Sequence, residues 1–306
     1  MNKNVLITGG AGFVGSNLSE KLLSLGYSVV IVDNLSSGLE KNVNKKCKFY
    51  KVSVSDKKEI NKIITTEKPI YIFHLAANPK IADLQKNPVN EANEIISGLS
   101  NLITNMRPGN IKKFIFFSSA AVYSEDNILP LTENSVINPT SFYGTYKFIA
   151  ENFIKVLCRQ KGIPYVILRP ANIYGPFQKS NGEGGVVASF IGDIDNHKPL
   201  KIYGNGEKTR DFVYVEDVIN ACILSLTNKI NGTFNIGTAQ QISIKDLAKE
   251  ILKITSSKSV IKYSNNREGE VVKSALNFQK ISSYGWCPQT NLELGLIETC
   301  RWFKVI

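Results

Sequence analysis

The chain has 306 residues, 43% hydrophobic and 21% charged, with a formal net charge of +11. That length can bury a substantial core in one large or two coupled domains, while its longest apolar stretches are only strand-length, which excludes a spanning helix. Two histidines, His74 and His197, argue against a histidine-ligated metal, and scattered lysines without a basic run or aromatic repeat argue against nucleic acid as partner.

The first element is the apolar strand Val5-Leu6-Ile7, entered at once from Met1-Asn2-Lys3-Asn4, so no signal peptide is expected. The five cysteines, at 47, 158, 222, 287 and 300, show no Cys-x-x-Cys spacing. They read as thiols of a reducing compartment, and a cytoplasmic protein is expected.

Directly behind the strand stands Thr8-Gly9-Gly10-Ala11-Gly12-Phe13-Val14-Gly15. Gly9 permits a tight turn, Gly12 removes a side chain where phosphates approach, and Gly15 lets the following helix pack closely on the sheet. That helix, about 13–26, aims the positive end of its dipole at an anion. Tyr27-Ser28-Val29-Val30-Ile31-Val32 reads as a second buried strand ending in Asp33, eighteen residues after Gly15. A carboxylate there accepts from a ribose 2′-hydroxyl and repels a 2′-phosphate. Asn34 follows with no Arg or Lys beside it, so NAD is favoured over NADP.

Strand and helix patterns then alternate: strand 48–52, helix 56–66, strand 70–75, a helix reaching about 106, strand 114–117, helix 143–161 and strand 165–168. Apolar strands separated by crossover helices predict an α/β, doubly wound parallel sheet of Rossmann type. Between 170 and 210, Gly, Asn and Pro become frequent, and a loop-rich ligand-holding region is expected.

Ser118 and Ser119 follow the strand 114–117, so their hydroxyls emerge at the carboxyl edge, where such sheets bind ligands. Tyr143 and Lys147 are i and i+4 and share a helix face. A tyrosine needs about 4 kcal/mol to fall from pKa about 10 towards 7 and act as a base. One cation at about 4 Å supplies roughly that in a partly shielded site. Lys147 and an oxidised nicotinamide ring are the two cations considered.

These residues resemble an extended short-chain dehydrogenase/reductase, in particular the nucleotide-sugar epimerases similar to UDP-galactose and UDP-N-acetylglucosamine 4-epimerases. The resemblance runs over nearly the whole length. Further markers are Asp33-Asn34-Leu35-Ser36-Ser37-Gly38, His74-Leu75-Ala76-Ala77, Leu168-Arg169-Pro170-Ala171-Asn172-Ile173-Tyr174-Gly175-Pro176, the run 209–218 and Arg267-Glu268-Gly269-Glu270. It implies an NAD-binding Rossmann domain at 1–168, with a return segment near 209–238, and a smaller C-terminal α/β nucleotide-sugar-binding subdomain, mainly 169–306.

Residue by residue, the resemblance implies Ser119, Tyr143 and Lys147 as catalytic. NAD would meet Gly9, Gly12, Phe13, Val14, Gly15, Asp33, Asn34, Ser37, Gly38, Leu75, Ala76, Ala77, Ser118, Tyr143, Lys147 and Pro170, with Asp56 at the adenine amino group. The nucleotide sugar would meet Ser119, Asn172, Val186, Arg210 and Arg267, with Tyr203 on the base and Ser274 gating the sugar pocket. Guanidinium forks suit diphosphate oxygens. No metal is implied. A homodimer through a four-helix bundle is implied, with Leu99, Leu102, Phe148, Phe153 and Leu157 on the outer faces of two helices. Three positions depart from the family pattern: Ser124 for Gly, Ile95 for Asn and Asn277 for Asp.

Ala120 and Ala121 bear on the reaction. Relatives that dehydrate the sugar carry Asp-Glu there, since eliminating water needs an added acid and base, and decarboxylating relatives usually keep a Glu. Two alanines fit 4-epimerisation. A small Ser274 leaves room for a 2-N-acetyl group, favouring UDP-GlcNAc/UDP-GalNAc, with UDP-Glc/UDP-Gal also considered. The alternatives are a UDP-glucuronate 4-epimerase, another nucleotide-sugar oxidoreductase, or a non-catalytic NAD-binding interaction protein.

Overall fold

The computed structural model describes residues 3–77, 88–180, 185–227, 229–266 and 271–306. The chain separates into two compact units: Met1–Val122, Pro139–Arg169 and Ile219–Phe234 form one, and Tyr123–Asn138, Pro170–Val218 and Asn235–Ile306 the other.

The first unit alternates β1 (Asn4–Thr8), α1 (Phe13–Ser24), β2 (Ser28–Val32), β3 (Lys48–Tyr50), α2 (Lys57–Glu67), β4 (Tyr71–His74), α3 (Pro88–Asn105), β5 (Lys113–Phe117), α4 (Phe142–Lys161) and β6 (Tyr165–Pro170). The sheet order is β3-β2-β1-β4-β5-β6, followed by the strand Gly232–Ile236. From β3 to β6 every neighbouring pair is parallel. The order reverses between β1 and β4, and ligands of doubly wound sheets bind outside the carboxyl ends at such a point.

One core carries this sheet. Leu6, Val30, Ile72, Phe114 and Ile167 from the strands meet Ile60 and Ile63 of α2, Leu99, Leu102 and Ile103 of α3, and Ile154 of α4. Each fully buried Leu or Ile contributes about 1.5–3 kcal/mol. Leu99 and Leu102, expected on an outer face, are 0% exposed and belong to this core. Helical spacing gives a stripe but not which stripe meets the sheet. The apolar residues that α4 does expose are Phe142, Ile149 and Val156, at intervals of seven. Phe148, Phe153 and Leu157 are half-buried.

Local signals set the ends of α4. Ser141 caps its start, its hydroxyl accepting from the Gly144 N–H at 3.1 Å. Gly162 ends it at φ +63°. Gly144 is required by proximity: a Cβ there would run into the Ala121 carbonyl oxygen and Pro139.

In the second unit, Asn172–Tyr174 pairs in parallel with Phe212–Tyr214, and Leu200–Tyr203 with Ile261–Ser264. Thr209–Arg210 pairs antiparallel with Ile242–Ser243. The stretch expected to be loop-rich therefore holds strands and the helix Val186–Asp195. That helix is apolar on nearly every side, so it shows no clear amphipathic stripe. Asp211, fully buried, accepts from Thr238 N–H (2.9 Å), Ala239 N–H (3.1 Å) and Leu276 N–H (3.0 Å).

The three departures have local roles. Ser124 hydrogen-bonds Asp126 through both its hydroxyl contacts. Ile95 packs against the core of the first unit. Asn277 accepts from the Gln279 N–H at 2.8 Å, just before the short helix Gln279–Ser282.

Candidate active site

The dinucleotide side is built at the ends of β1 and β2. Gly9 turns at φ +72°, and a Cβ there would press on the Ala76 amide. The loop packs against itself through Gly12 N–H to Gly9 O (3.2 Å). Gly12 precedes α1 with no side-chain cap, so the first-turn amides at Phe13 and Val14 take no side-chain acceptor from Gly12. Gly15 is buried against Gly9 and Gly10.

Asp33 is 8% exposed. Its two oxygens accept from Ala11 N–H (3.0 Å) and Leu35 N–H (2.8 Å), which leaves each oxygen further acceptor capacity. A Cβ on Gly38 would come within 3.0 Å of this carboxylate. Asn34 accepts from the Ser36 N–H, and Ser37 is half-buried alongside. Leu75, Ala76 and Ala77 are half-buried after β4, with Ala76 N–H directed at Thr8 Oγ1 at 3.4 Å. A small-residue cradle, uncapped amides and a buried carboxylate with spare acceptor sites fit a dinucleotide. Asp56 is exposed and caps α2 by accepting from Glu59 N–H at 3.1 Å, which occupies one oxygen only. Pro170 closes β6 and is buried.

The three residues expected to be catalytic fall in the same unit. Ser119 Oγ accepts from Ala121 N–H at 3.1 Å, and its hydroxyl lies near the Tyr143 phenol, favouring the ionised form. Lys147 is 7% exposed; its Nζ donates to Phe117 O at 2.7 Å and lies 5.6 Å from the Tyr143 ring centre. Burial pushes the Tyr143 phenol up, and the Ser119 hydroxyl opposes this. Lys147, counted on above to depress it, instead faces the ring. Burial pulls Lys147 itself down to about 8, against the attraction of Glu151. Ser118 does not present its hydroxyl to the carboxyl edge: the hydroxyl donates to Glu151 and the N–H to Leu168 O.

In the second unit, Asn172 is exposed on a strand edge, and Tyr203 and Arg210 are half-buried. Lys201 Nζ lies 4.9 Å from the Tyr203 ring centre, and Arg210 donates to Thr209 O at 2.8 Å. Val186 opens its helix behind Gly185. Ser274 is 8% exposed in irregular backbone, two residues before the segment tethered by Asp211. Arg267 lies outside the described residues.

Sequence reasoning passed over Gln178. Its amide donates to Ile173 O at 3.1 Å, while its buried Oε1 has no partner among the described residues. A lone glutamine in a Gly-rich stretch gives no periodic signal. Among the described residues, no helix is long and apolar enough to cross a membrane.

A doubly wound parallel sheet with a glycine-rich turn at the end of β1 is a Rossmann-type fold suited to a dinucleotide. The chain belongs to the NAD dependent epimerase/dehydratase family, whose profile matches residues 5–237. It is 39% identical to a putative UDP-glucose 4-epimerase of Methanocaldococcus jannaschii, covering 98% of each chain. A UDP-glucose 4-epimerase from Thermotoga maritima, solved with UDP-glucose, superposes with TM-score 0.95 at 38% identity, covering 98% of each chain. A UDP-N-acetylglucosamine 4-epimerase from Methanobrevibacter ruminantium, in complex with UDP-N-acetylmuramic acid, gives 0.93 at 33% identity, covering 99% of this chain and 98% of that one.

Proposed function

We infer that the protein is an NAD-dependent nucleotide-sugar 4-epimerase, acting on UDP-GlcNAc and UDP-GalNAc and also on UDP-Glc and UDP-Gal. The observation carrying this reading is that Ser119 and Tyr143 come together, with Lys147 one turn on and 5.6 Å from the Tyr143 ring centre, and two alanines after Ser119. Likeness over the full length to UDP-sugar 4-epimerases supports it.

Tyr143 takes the proton of the sugar 4-hydroxyl and later returns it, while Ser119 hydrogen-bonds that oxygen. Lys147 anchors the cofactor ribose. Asn172, Arg210 and Arg267 hold the diphosphate while the 4-keto ring turns over, with Tyr203 packed on the base and Val186 and Ser274 lining the sugar side. Bound NAD supplies a reversible hydride acceptor and a positively charged ring, and it stays with the enzyme through the cycle. The test is incubation with a panel of UDP-sugars without added NAD, followed by separation of the products. Interconversion of UDP-GlcNAc and UDP-GalNAc is expected; no epimer from any UDP-sugar overturns the reading.

Asp33 and the glycine loop also define a cofactor test. Purified protein is expected to release NAD on denaturation, and Asp33→Ala to retain it about tenfold less, through loss of hydrogen bonds to a charged acceptor. NADP as the main released nucleotide refutes the role given to Asp33.

The assembly is a homodimer in which α3 and α4 of each copy form a four-helix bundle. Phe142, Ile149 and Val156 are 45%, 39% and 54% exposed, an apolar stripe that a second copy covers. Light scattering at micromolar concentration is expected to give a dimer, and Ile149→Glu a monomer. A monomeric wild-type protein removes this assembly.

A further inference from the structure

Helix α4 carries Tyr143, Lys147, Glu151 and Lys155 at intervals of four, on one face. Glu151 is 0% exposed, and its partner Arg169, on β6, is 2% exposed. Glu151 Oε1 accepts from Arg169 Nε at 2.8 Å and from Ser118 Oγ at 2.5 Å. Glu151 Oε2 accepts from the Arg169 guanidinium at 2.6 Å, with Lys155 Nζ at 3.4 Å. One carboxylate thus ties the helix to β6 and to the end of β5, strands that are themselves paired at Phe117 and Leu168.

Such a buried pair is a weak source of stability, because apolar residues of the same volume often serve as well. Its position is more telling. Ser118 stands between Phe117, whose carbonyl anchors the Lys147 ammonium at 2.7 Å, and Ser119, whose hydroxyl lies near the Tyr143 phenol. Holding Ser118 from the side therefore holds both anchors. Among the described residues, the other groups found around Lys147 bring it no negative charge. His74 on β4 is buried, shares a 2.7 Å hydrogen bond with Thr8 on β1, and is held neutral, pulled down to about 3 by burial and the Lys147 charge. The Phe116 ring centre is 4.9 Å from Lys147 Nζ. Arg169 and Lys155 are cations beyond the Glu151 carboxylate.

We propose that Glu151 is a positioning residue of the catalytic centre: it clamps Ser118, and with it the 117–119 segment on which Lys147 and Ser119 depend, and it places a carboxylate one helical turn from the Lys147 ammonium. The clamp is geometric, since it needs both carboxylate oxygens, and the charge acts along a single helix turn. Burial opposes a charged Lys147 and Glu151 acts against that burial, so losing the carboxylate lowers the pH at which the ammonium is lost.

The proposal rests on Tyr143 and Lys147 being the working pair. Its test is the pH profile of kcat for the holoenzyme on UDP-GlcNAc, in wild type, Glu151→Gln, Glu151→Asp and Glu151→Gln/Arg169→Met. Wild-type activity is expected to rise with pH and to break at about 8 into an alkaline limb where it no longer rises, as phenolate gain is offset by ammonium loss. In Glu151→Gln this alkaline limb moves down by about one pH unit, and kcat at the wild-type midpoint drops about fivefold, with KM changed less than about twofold. Glu151→Asp keeps the charge and returns the limb. The double variant removes the unmatched guanidinium, so it regains thermal stability yet keeps the displaced limb. A limb at the wild-type position in Glu151→Gln or the double variant, or one displaced equally in Glu151→Asp, overturns the proposal. An active Tyr143→Phe enzyme breaks the underlying reading instead, so the two failures are distinct.

Discussion

Tyr143→Phe is expected to lower kcat by roughly 100-fold or more while NAD content and UDP-sugar affinity stay near wild type, the effect of removing a general base. The substitution deletes one oxygen and keeps the ring, so the ammonium of Lys147, 5.6 Å from the ring centre, still has its aromatic neighbour. Ser119 loses the phenol but keeps the Ala121 N–H at 3.1 Å. The site therefore stays assembled and only the proton transfer is lost. In the wild type, burial holds the phenol above the ordinary tyrosine value and Ser119 draws it back. Activity should accordingly rise with pH as more phenolate forms, until Lys147 begins to lose its proton near 8. Steady-state turnover of UDP-GlcNAc across pH checks both limbs. A Tyr143→Phe enzyme with near-normal kcat would falsify the assignment of the base.

Ser274→Tyr is expected to cut the specificity constant for UDP-GlcNAc by roughly 5- to 150-fold, with little change for UDP-Glc. Ser274 is only 8% exposed, so a phenol has no open solvent to move into. Overpacking a closed site costs about 1–3 kcal/mol, which converts to that range when the larger substrate alone needs the space. The neighbouring backbone cannot drift aside easily, because Leu276 is tied to the buried Asp211 at 3.0 Å. Parallel kinetics on the two sugars decide the point. Equal losses on both mean that residue 274 disturbs the site without selecting, and retained activity on both means that it does not face the sugar.

The parts of the site that the sequence makes legible are those tied to a fixed spacing. The glycine loop follows a strand, Asp33 ends the next one, and Tyr143 and Lys147 sit one helical turn apart; in the structure the loop follows β1, Asp33 directly follows β2, and Tyr143 and Lys147 lie on α4. Ser119 is legible because a strand end must deliver its side chain to the sheet edge. What stays hidden depends on which way a side chain turns. Ser118 looks like a second edge hydroxyl but points inward to Glu151. Glu151 itself falls in the buried register of Tyr146, Lys147, Ala150 and Ile154, and a carboxylate in that stripe is a signal that spacing could have given. Leu99 and Leu102 were misplaced because a stripe does not say whether it faces the sheet or a second copy. Gln178 and Asp211 carry no periodic mark; their roles come from backbone amides and carbonyls far apart in the chain.

The contact between Gly144 and the Ala121 carbonyl is main chain against main chain, one residue from the phenol and two from the Ser119 hydroxyl. The separation of the two main chains that carry Ser119 and Tyr143 is thus set by backbone thickness, in which the side chains at 120 and 121 take no part. A scaffold arranged this way is evolvable: residues at those two positions can change without moving the main chains that hold the Ser119–Tyr143 pair. The cost of that freedom is concentrated at residue 144, where even alanine would push the catalytic helix off its seat.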